Sequence, residues 1–175
     1  MPRDGQDKEV QFGEIAAAYG AALERLVRVY EADAETRRDL LQEILIALWR
    51  SLDRFDGRCS LRTWVYRIAH NVAASHVTRQ IRRKKQLFVG LDELPDPPNE
   101  PQSFSEQAKR DEIDRMYELI AQLKPLDRQV MLAYLEGVDA ASTAEITGLS
   151  AGSVATKIHR IKQILRSRFQ EEGSR

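Results

Sequence analysis

Apolar residues recur at three- and four-residue steps through most of the chain. Phe12, Ile15, Ala16, Tyr19, Leu23, Leu26, Val27 and Tyr30 follow that spacing, which puts them on one face of a helix. Residues 36–51 form a second amphipathic helix with the same period. Leu61, Trp64, Val65, Ile68, Ala69, Val72, Ala73 and Val77 predict a third, with Ser60 placed to cap its N-terminus and Trp64 at the edge of the apolar stripe. Farther on, Ile113, Met116, Tyr117 and Ile120 make one stripe, and Val130, Met131, Tyr134 and Leu135 another, separated by Pro125. No segment alternates with period two over a useful length, so the expected fold is all-α.

Residues 86–108, QLFVGLDELPDPPNEPQSFSEQA, interrupt this pattern. They hold four of the six prolines, five acidic residues and no basic one. A residue before proline is pushed to extended conformations, so the middle of this stretch cannot be helical. The expected organisation is two small helical domains, 1–85 and 109–175, joined by a Pro-rich acidic linker over 86–108.

After Gly137 the pattern shortens. A helix near 140–147 meets a Gly-Leu-Ser turn, and a longer helix over about 150–168 follows, with Ser150 as its cap. Val154, Ile158, Ile161 and Leu165 share one side of that helix. Ala155, Thr156 and His159 lie opposite, flanked by Ser153 and Arg160. Small side chains at a helix start let the backbone approach a DNA major groove, and nearby Lys157, Arg160, Lys162, Arg166 and Arg168 can reach phosphates. This is a helix-turn-helix pattern; a solvated basic helix packed on its neighbour is the plainer alternative.

Charge sharpens the picture. The chain balances 27 basic against 27 acidic residues, but residues 58–85 hold eight Lys or Arg and no acid, and residues 151–170 hold five and none. Segregated charge suits a polyanion partner even at zero net charge. A single cysteine, Cys59, excludes an internal disulfide and a cysteine-based zinc site. No apolar run approaches the ~18 residues that a membrane span needs, and the opening MPRDGQDKEV does not resemble a signal peptide. A cytoplasmic protein without membrane insertion, metal or cofactor is expected. No phosphate loop, metal cluster or nucleophile–base spacing points to an enzyme. A stand-alone helix-turn-helix regulator is an alternative, but it would leave the stretch WVYRIAHN without a role.

Two stretches resemble one family. DLLQEILIALWRSLDRFDGRCSLRTWVYRIAHNVAASH (39–76) is similar to the second conserved region of the extracytoplasmic-function (ECF) sigma factors of bacterial RNA polymerase. LKPLDRQVMLAYLEGVDAASTAEITGLSAGSVATKIHRIKQILR (123–166) resembles their fourth region without a gap. The resemblance implies a non-catalytic initiation subunit that binds core RNA polymerase at its clamp and flap, opens the −10 promoter element and binds the −35 element. It also implies an anti-sigma factor as a partner.

Residue by residue, the resemblance puts clamp binding on Asp39, Leu40, Gln42, Glu43, Ile46 and Arg50. An isoleucine at 46, ringed by polar side chains on the helix wheel, independently suits a docking patch. Contact with −10 DNA falls on Arg58, Arg62, Thr63, Arg67, His70, Asn71, Ser75, Arg79, Arg82 and Arg83. Among these, Asn71 matches the asparagine that holds a flipped base, and the loop Asp56–Ser60 helps form its pocket. The −35 set is Ser153, Ala155, Thr156, Lys157, His159 and Arg160. The resemblance implies that the linker acids Asp92, Glu93, Asp96, Glu100 and Glu106 could mimic phosphates in the polymerase channels; a solvated tether is the plainer alternative. The chain departs from the family pattern at Ala140, where an aromatic is common, at Thr143 and Thr147, where Ile and Leu are usual, and at Ala155, where Lys or Arg often reads the −35 element. These departures bear on the −35 base code and on the tightness of the small domain.

Overall fold

The computed structural model describes the backbone of residues 5–87 and 106–173 and the side chains of residues 6–83 and 112–170. Every regular element among the described residues is helical: α1 (Gly5–Tyr30), α2 (Ala34–Ser51), a 3-10 turn (Leu52–Arg54), α3 (Leu61–Leu87), α4 (Glu106–Ala121), α5 (Pro125–Leu135), α6 (Ala140–Thr147) and α7 (Ala151–Gly173). Helices α1 and α3 run beyond the stripes read from sequence, and α4 starts inside the expected linker. The linker acids Asp92, Glu93, Asp96 and Glu100 lie outside the described residues.

Local chemistry sets the helix ends. Asp33 caps α2, accepting from Thr36 N at 2.8 Å and Thr36 Oγ1 at 2.7 Å. Asp139 caps α6 in the same way, accepting from Ser142 N at 2.9 Å and Ser142 Oγ at 2.8 Å. In both, hydrogen bonds from the helix backbone hold the carboxyl below the usual aspartate range. Ser60 caps α3, accepting from Thr63 N at 3.1 Å, and Ser150 caps α7, accepting from Ser153 N at 3.2 Å. Pro125 opens α5, where a missing N–H costs nothing, and Gly148 closes α6 at φ 75°, a left-handed conformation that glycine tolerates.

The N-terminal half packs α1, α2 and α3 around Ile15, Leu23, Leu26, Leu40, Ile44, Leu48, Val65, Ala69 and Ala73. The C-terminal half packs α4–α7 around Ile120, Val130, Ile146, Val154 and Ile161. The two cores are continuous, because α1 meets α4 and α3 meets α5 and α6. Each fully buried aliphatic side chain contributes about 1.5–3 kcal/mol. Two apolar residues depart from their expected stripes: Ile113 is 51% exposed and Tyr134 39%.

Helix α6 carries a defect. Thr143 is fully buried, and its Oγ1 has no hydrogen-bond partner, although its backbone oxygen accepts from Thr147 Oγ1 at 2.7 Å. Replacing Thr143 by Val removes the orphaned hydroxyl at nearly constant volume, and is expected to stabilise the chain by about 1 kcal/mol. Urea unfolding of the two proteins measures the difference; equal midpoints would mean that the hydroxyl is satisfied in solution.

Candidate nucleic-acid interface

Helix α3 is the centre of the site. Its inward face, Trp64, Val65, Ala69 and Ala73, is buried against α1 and α2, as its apolar stripe predicts. Its outward face holds Asn71, Ser75, Arg79, Arg82 and Arg83, all exposed. The side chains of Lys84 and Lys85 lie outside the described residues. In the loop before α3, Gly57 takes φ 74°, Asp56 accepts from Arg58 N at 3.1 Å, and the Phe55 ring rests 5.3 Å from that of Trp64. Asp56 also pairs with Arg58 Nε at 2.9 Å, and Arg58 otherwise stands open to solvent.

Two residues expected on the outward face are inside. Thr63 is 2% exposed, and its hydroxyl is taken up in the helix cap, 2.8 Å from Ser60 Oγ. His70 is fully buried, with Nδ1 3.1 Å from Tyr30 Oη and its ring beside Tyr30 and Tyr66. Burial pushes its pKa down to about 4, so it stays neutral near pH 7 and offers DNA no charge.

Helix α2 presents Asp39, Gln42, Glu43, Ile46 and Arg50 to solvent, with Ile46 48% exposed. Leu40 does not join them. It is fully buried with Ile44 and Leu48, since the four-residue spacing stacks all three on the core side. A polar cleft of about 270 Å³ separates α2 from α3, lined by Thr36, Asp39, Glu43, His76, Arg79, Gln80 and Arg83. Arg79 Nη2 donates across it to Glu43 at 2.5 Å, and below it His76 Nε2 lies 3.2 Å from Glu31. The sets expected to touch polymerase and −10 DNA therefore meet along one edge.

At the start of α7, Ser153, Ala155, Thr156, His159 and Arg160 are exposed, while Val154 and Ile161 are buried. Thr156 Oγ1 donates back to Gly152 O at 3.0 Å. Lys157 is half-buried, and its Nζ donates to Asp127 at 2.5 Å; Arg160 Nη2 reaches the other oxygen of the same carboxylate at 3.3 Å. Asp127 was not visible as a functional residue in the sequence, where it reads as an acid in the first turn of α5.

The halves also touch through side chains far apart in sequence. Glu136, in the turn after α5, accepts from Arg25 Nε and Nη2, both at 2.8 Å, and from Tyr66 Oη at 3.2 Å. The hydrogen bond that Arg25 donates to Glu136 raises the Arg25 pKa, and burial raises that of Tyr66. Arg67 donates to Glu145 at 2.9 Å, Arg28 pairs with Asp114 at 3.2 Å, and Arg128 covers the Tyr30 ring at 5.3 Å.

Comparison with known proteins identifies this arrangement. Residues 15–83 match the family model for sigma-70 region 2, and residues 113–165 the model for sigma-70 region 4. The ECF RNA polymerase sigma-E factor of Haemophilus influenzae is 31% identical over 144 residues, covering 75% of this chain and 74% of that protein. This chain belongs to the ECF sigma factors. The sigma factor CnrH of Cupriavidus metallidurans is 28% identical over 159 residues, 86% of this chain and 82% of that protein. Two solved structures share the fold: CnrH in complex with the cytosolic domain of CnrY (TM-score 0.67, 22% identity, 93% of this chain and 90% of that one), and the sigma factor RpoE from Bartonella quintana in complex with the anti-sigma factor NepR (TM-score 0.69, 18% identity, 91% and 97%). As a sigma factor, the chain is a transcription initiation factor that binds core RNA polymerase and directs it to promoters. Among the described residues, no helix is long and apolar enough to cross a membrane.

Proposed function

We propose that the sigma factor divides its work among three surfaces. The exposed face of α2 around Ile46 docks on the polymerase clamp. The outward face of α3 captures the opened −10 strand, and the start of α7 enters the major groove of the −35 element. The chain performs no chemistry of its own; it works in the cytoplasm, and an anti-sigma factor holds it in check, as in the complex that the Bartonella quintana structure contains. The observation that carries this reading is the ridge of α3. One face is anchored in the core by Val65, Ala69 and Ala73, and the other lines up Asn71, Ser75, Arg79, Arg82 and Arg83. An amide among arginines suits an unpaired base held beside its phosphates, because Asn offers both donors and an acceptor.

Asn71→Ala is expected to leave polymerase binding intact and to cost on the order of 1–3 kcal/mol in recognising one −10 position. Open complex on duplex promoters should fall accordingly. Part of the activity should return on a template with a pre-melted bubble, because capture no longer has to drive unpairing. Permanganate footprinting of both templates reads this out. Normal melting of the duplex by Asn71→Ala would show that the ridge only grips phosphates.

A further inference from the structure

We infer that the first turns of α1 brace the loop over residues 56–60, and that Lys8 is a positioning residue for −10 recognition, acting through Asp53. This rests on the reading of that loop as part of the −10 pocket. The loop leaves α2 through the 3-10 turn Leu52–Arg54 and enters α3 at the Ser60 cap. Between those ends Gly57 is left-handed, Asp56 accepts from Arg58 N two residues on, and the Arg58 side chain is 89% exposed. Local contacts of that kind shape the tip without fixing it to the body of the protein. Its position is set at the two ends.

The end at α3 is held by the cap, where Ser60 Oγ accepts from Thr63 N. The end at α2 is held from α1. Lys8 Nζ donates to Asp53 Oδ2 at 2.5 Å and lies 4.9 Å from the centre of the Trp49 ring. Phe12, one turn on, meets the same ring edge-on at 5.2 Å. Leu52, beside Asp53, is fully buried. Phe55 then carries the constraint forward, with its ring against that of Trp64 in α3.

Lys8 is not an ordinary surface lysine. Its side chain is 15% exposed, while the carboxylate that it holds is 54% exposed. A lysine free in water keeps its rotamers and adds little by pairing. One laid between an aromatic face and a carboxylate has given that freedom up, and gains from both partners. The clamp falls on a 3-10 turn, whose own hydrogen bonds are poorer than those of an α-helix. Lys8 and Phe12 also precede the match to sigma-70 region 2, which starts at residue 15. The brace therefore comes from ahead of the region whose loop it holds.

The test uses the full chain, alone and with core polymerase. Lys8→Met keeps the aliphatic stem on Trp49 and removes the charge. Asp53→Asn removes the other charge, so the two variants change net charge in opposite directions. Both should speed amide hydrogen exchange across residues 55–59 by at least ~5-fold, with exchange in the middle of α2 and α3 unchanged. Both should also lower open complex by at least ~5-fold, because an unbraced loop must be ordered at the moment of capture. Permanganate reads this on a duplex promoter recovered from a random-sequence library by wild-type holoenzyme. Affinity for core polymerase should stay at wild type, and Lys8→Arg, which keeps a cation between both partners, should keep both loop exchange and open complex. Unchanged exchange at 55–59 in Lys8→Met and Asp53→Asn overturns the brace. Opposite effects of the two on open complex would mean bulk charge, and also overturn it. Faster exchange without loss of open complex is decided by Arg58→Ala: if that variant melts the promoter poorly, the loop reads DNA but needs no brace, and if it melts normally, the loop itself leaves the −10 site and takes the brace with it.

Discussion

Replacing Ile46 by Glu is expected to weaken association with core RNA polymerase by at least about 100-fold, or roughly 2.7 kcal/mol. Ile46 is 48% exposed, while Leu40, Ile44 and Leu48 on the other side of α2 are fully buried. A large aliphatic side chain left in water amid Asp39, Gln42, Glu43 and Arg50 is the kind of residue that fills a partner's pocket. A carboxylate there would have to be desolvated without a partner, which costs several kcal/mol. The same substitution leaves the helix intact, because the side chain supports no core contact on the buried side. Circular dichroism should therefore be unchanged while fluorescence titration with purified core polymerase shows the loss. Ile46 is a cleaner site for the test than Glu43, whose carboxylate holds Arg79 and so couples the α2 face to α3. Wild-type affinity in Ile46→Glu would remove α2 from the clamp interface.

The second large effect is acid sensitivity. The His70 pKa is pushed down to about 4 by complete burial, against about 6.5 in the unfolded chain. Between those values the unfolded state holds the proton and the folded state does not. The stability tied to neutral His70 is thus fully present above pH 6.5 and is lost as pH falls toward 4. The loss is roughly 3 kcal/mol, in a window above that in which the caps Asp33 and Asp139 protonate. His70 sits between α1 and the rest of α3: Tyr30 faces it from α1, with Arg128 of α5 over that tyrosine ring, and Tyr66 faces it from its own helix. His70→Asn keeps an acceptor for Tyr30 but cannot be protonated. Urea unfolding at pH 7, 6, 5 and 4 should show the wild type losing this increment relative to His70→Asn. Parallel pH profiles for the two proteins would mean that His70 is protonated as easily in the folded chain as in the unfolded one.

The helices, their caps at Ser60 and Ser150, and the outward side of α2 were legible in the sequence, because each depends on neighbours within four residues. The face of α3 was only half legible. Its stripe shows what packs on α1 and α2, but α5 and α6 cover further parts of the same helix, and nothing periodic marks that second contact. His70 reads as polar on a wheel and proves to be core, since an imidazole with one hydrogen bond to a tyrosine can be buried neutral. Thr63 reads as a DNA-facing hydroxyl and is occupied by the cap. Leu40 was assigned to the polymerase set by resemblance, against its own position on the apolar stripe, and the stripe was right. The seam between the halves was invisible: Arg25 and Glu136 stand 111 residues apart, and each looks like an ordinary surface charge.

Asp127 changes what the five cations of α7 are worth to a polyanion. Binding that neutralises phosphates draws its free energy from condensed counterions set free, and each cation contributes in proportion to the charge it brings. Lys157 and Arg160 share one carboxylate, so together they arrive with a net charge of one. Lys162 is turned back over the Tyr134 ring, 5.2 Å from its centre. The entropy that α7 can extract from the ion atmosphere is therefore smaller than its basic residues suggest. On the proposal that the start of α7 enters the −35 groove, discrimination there falls more heavily on the shape and short side chains of Ala155 and Thr156 than on bulk attraction.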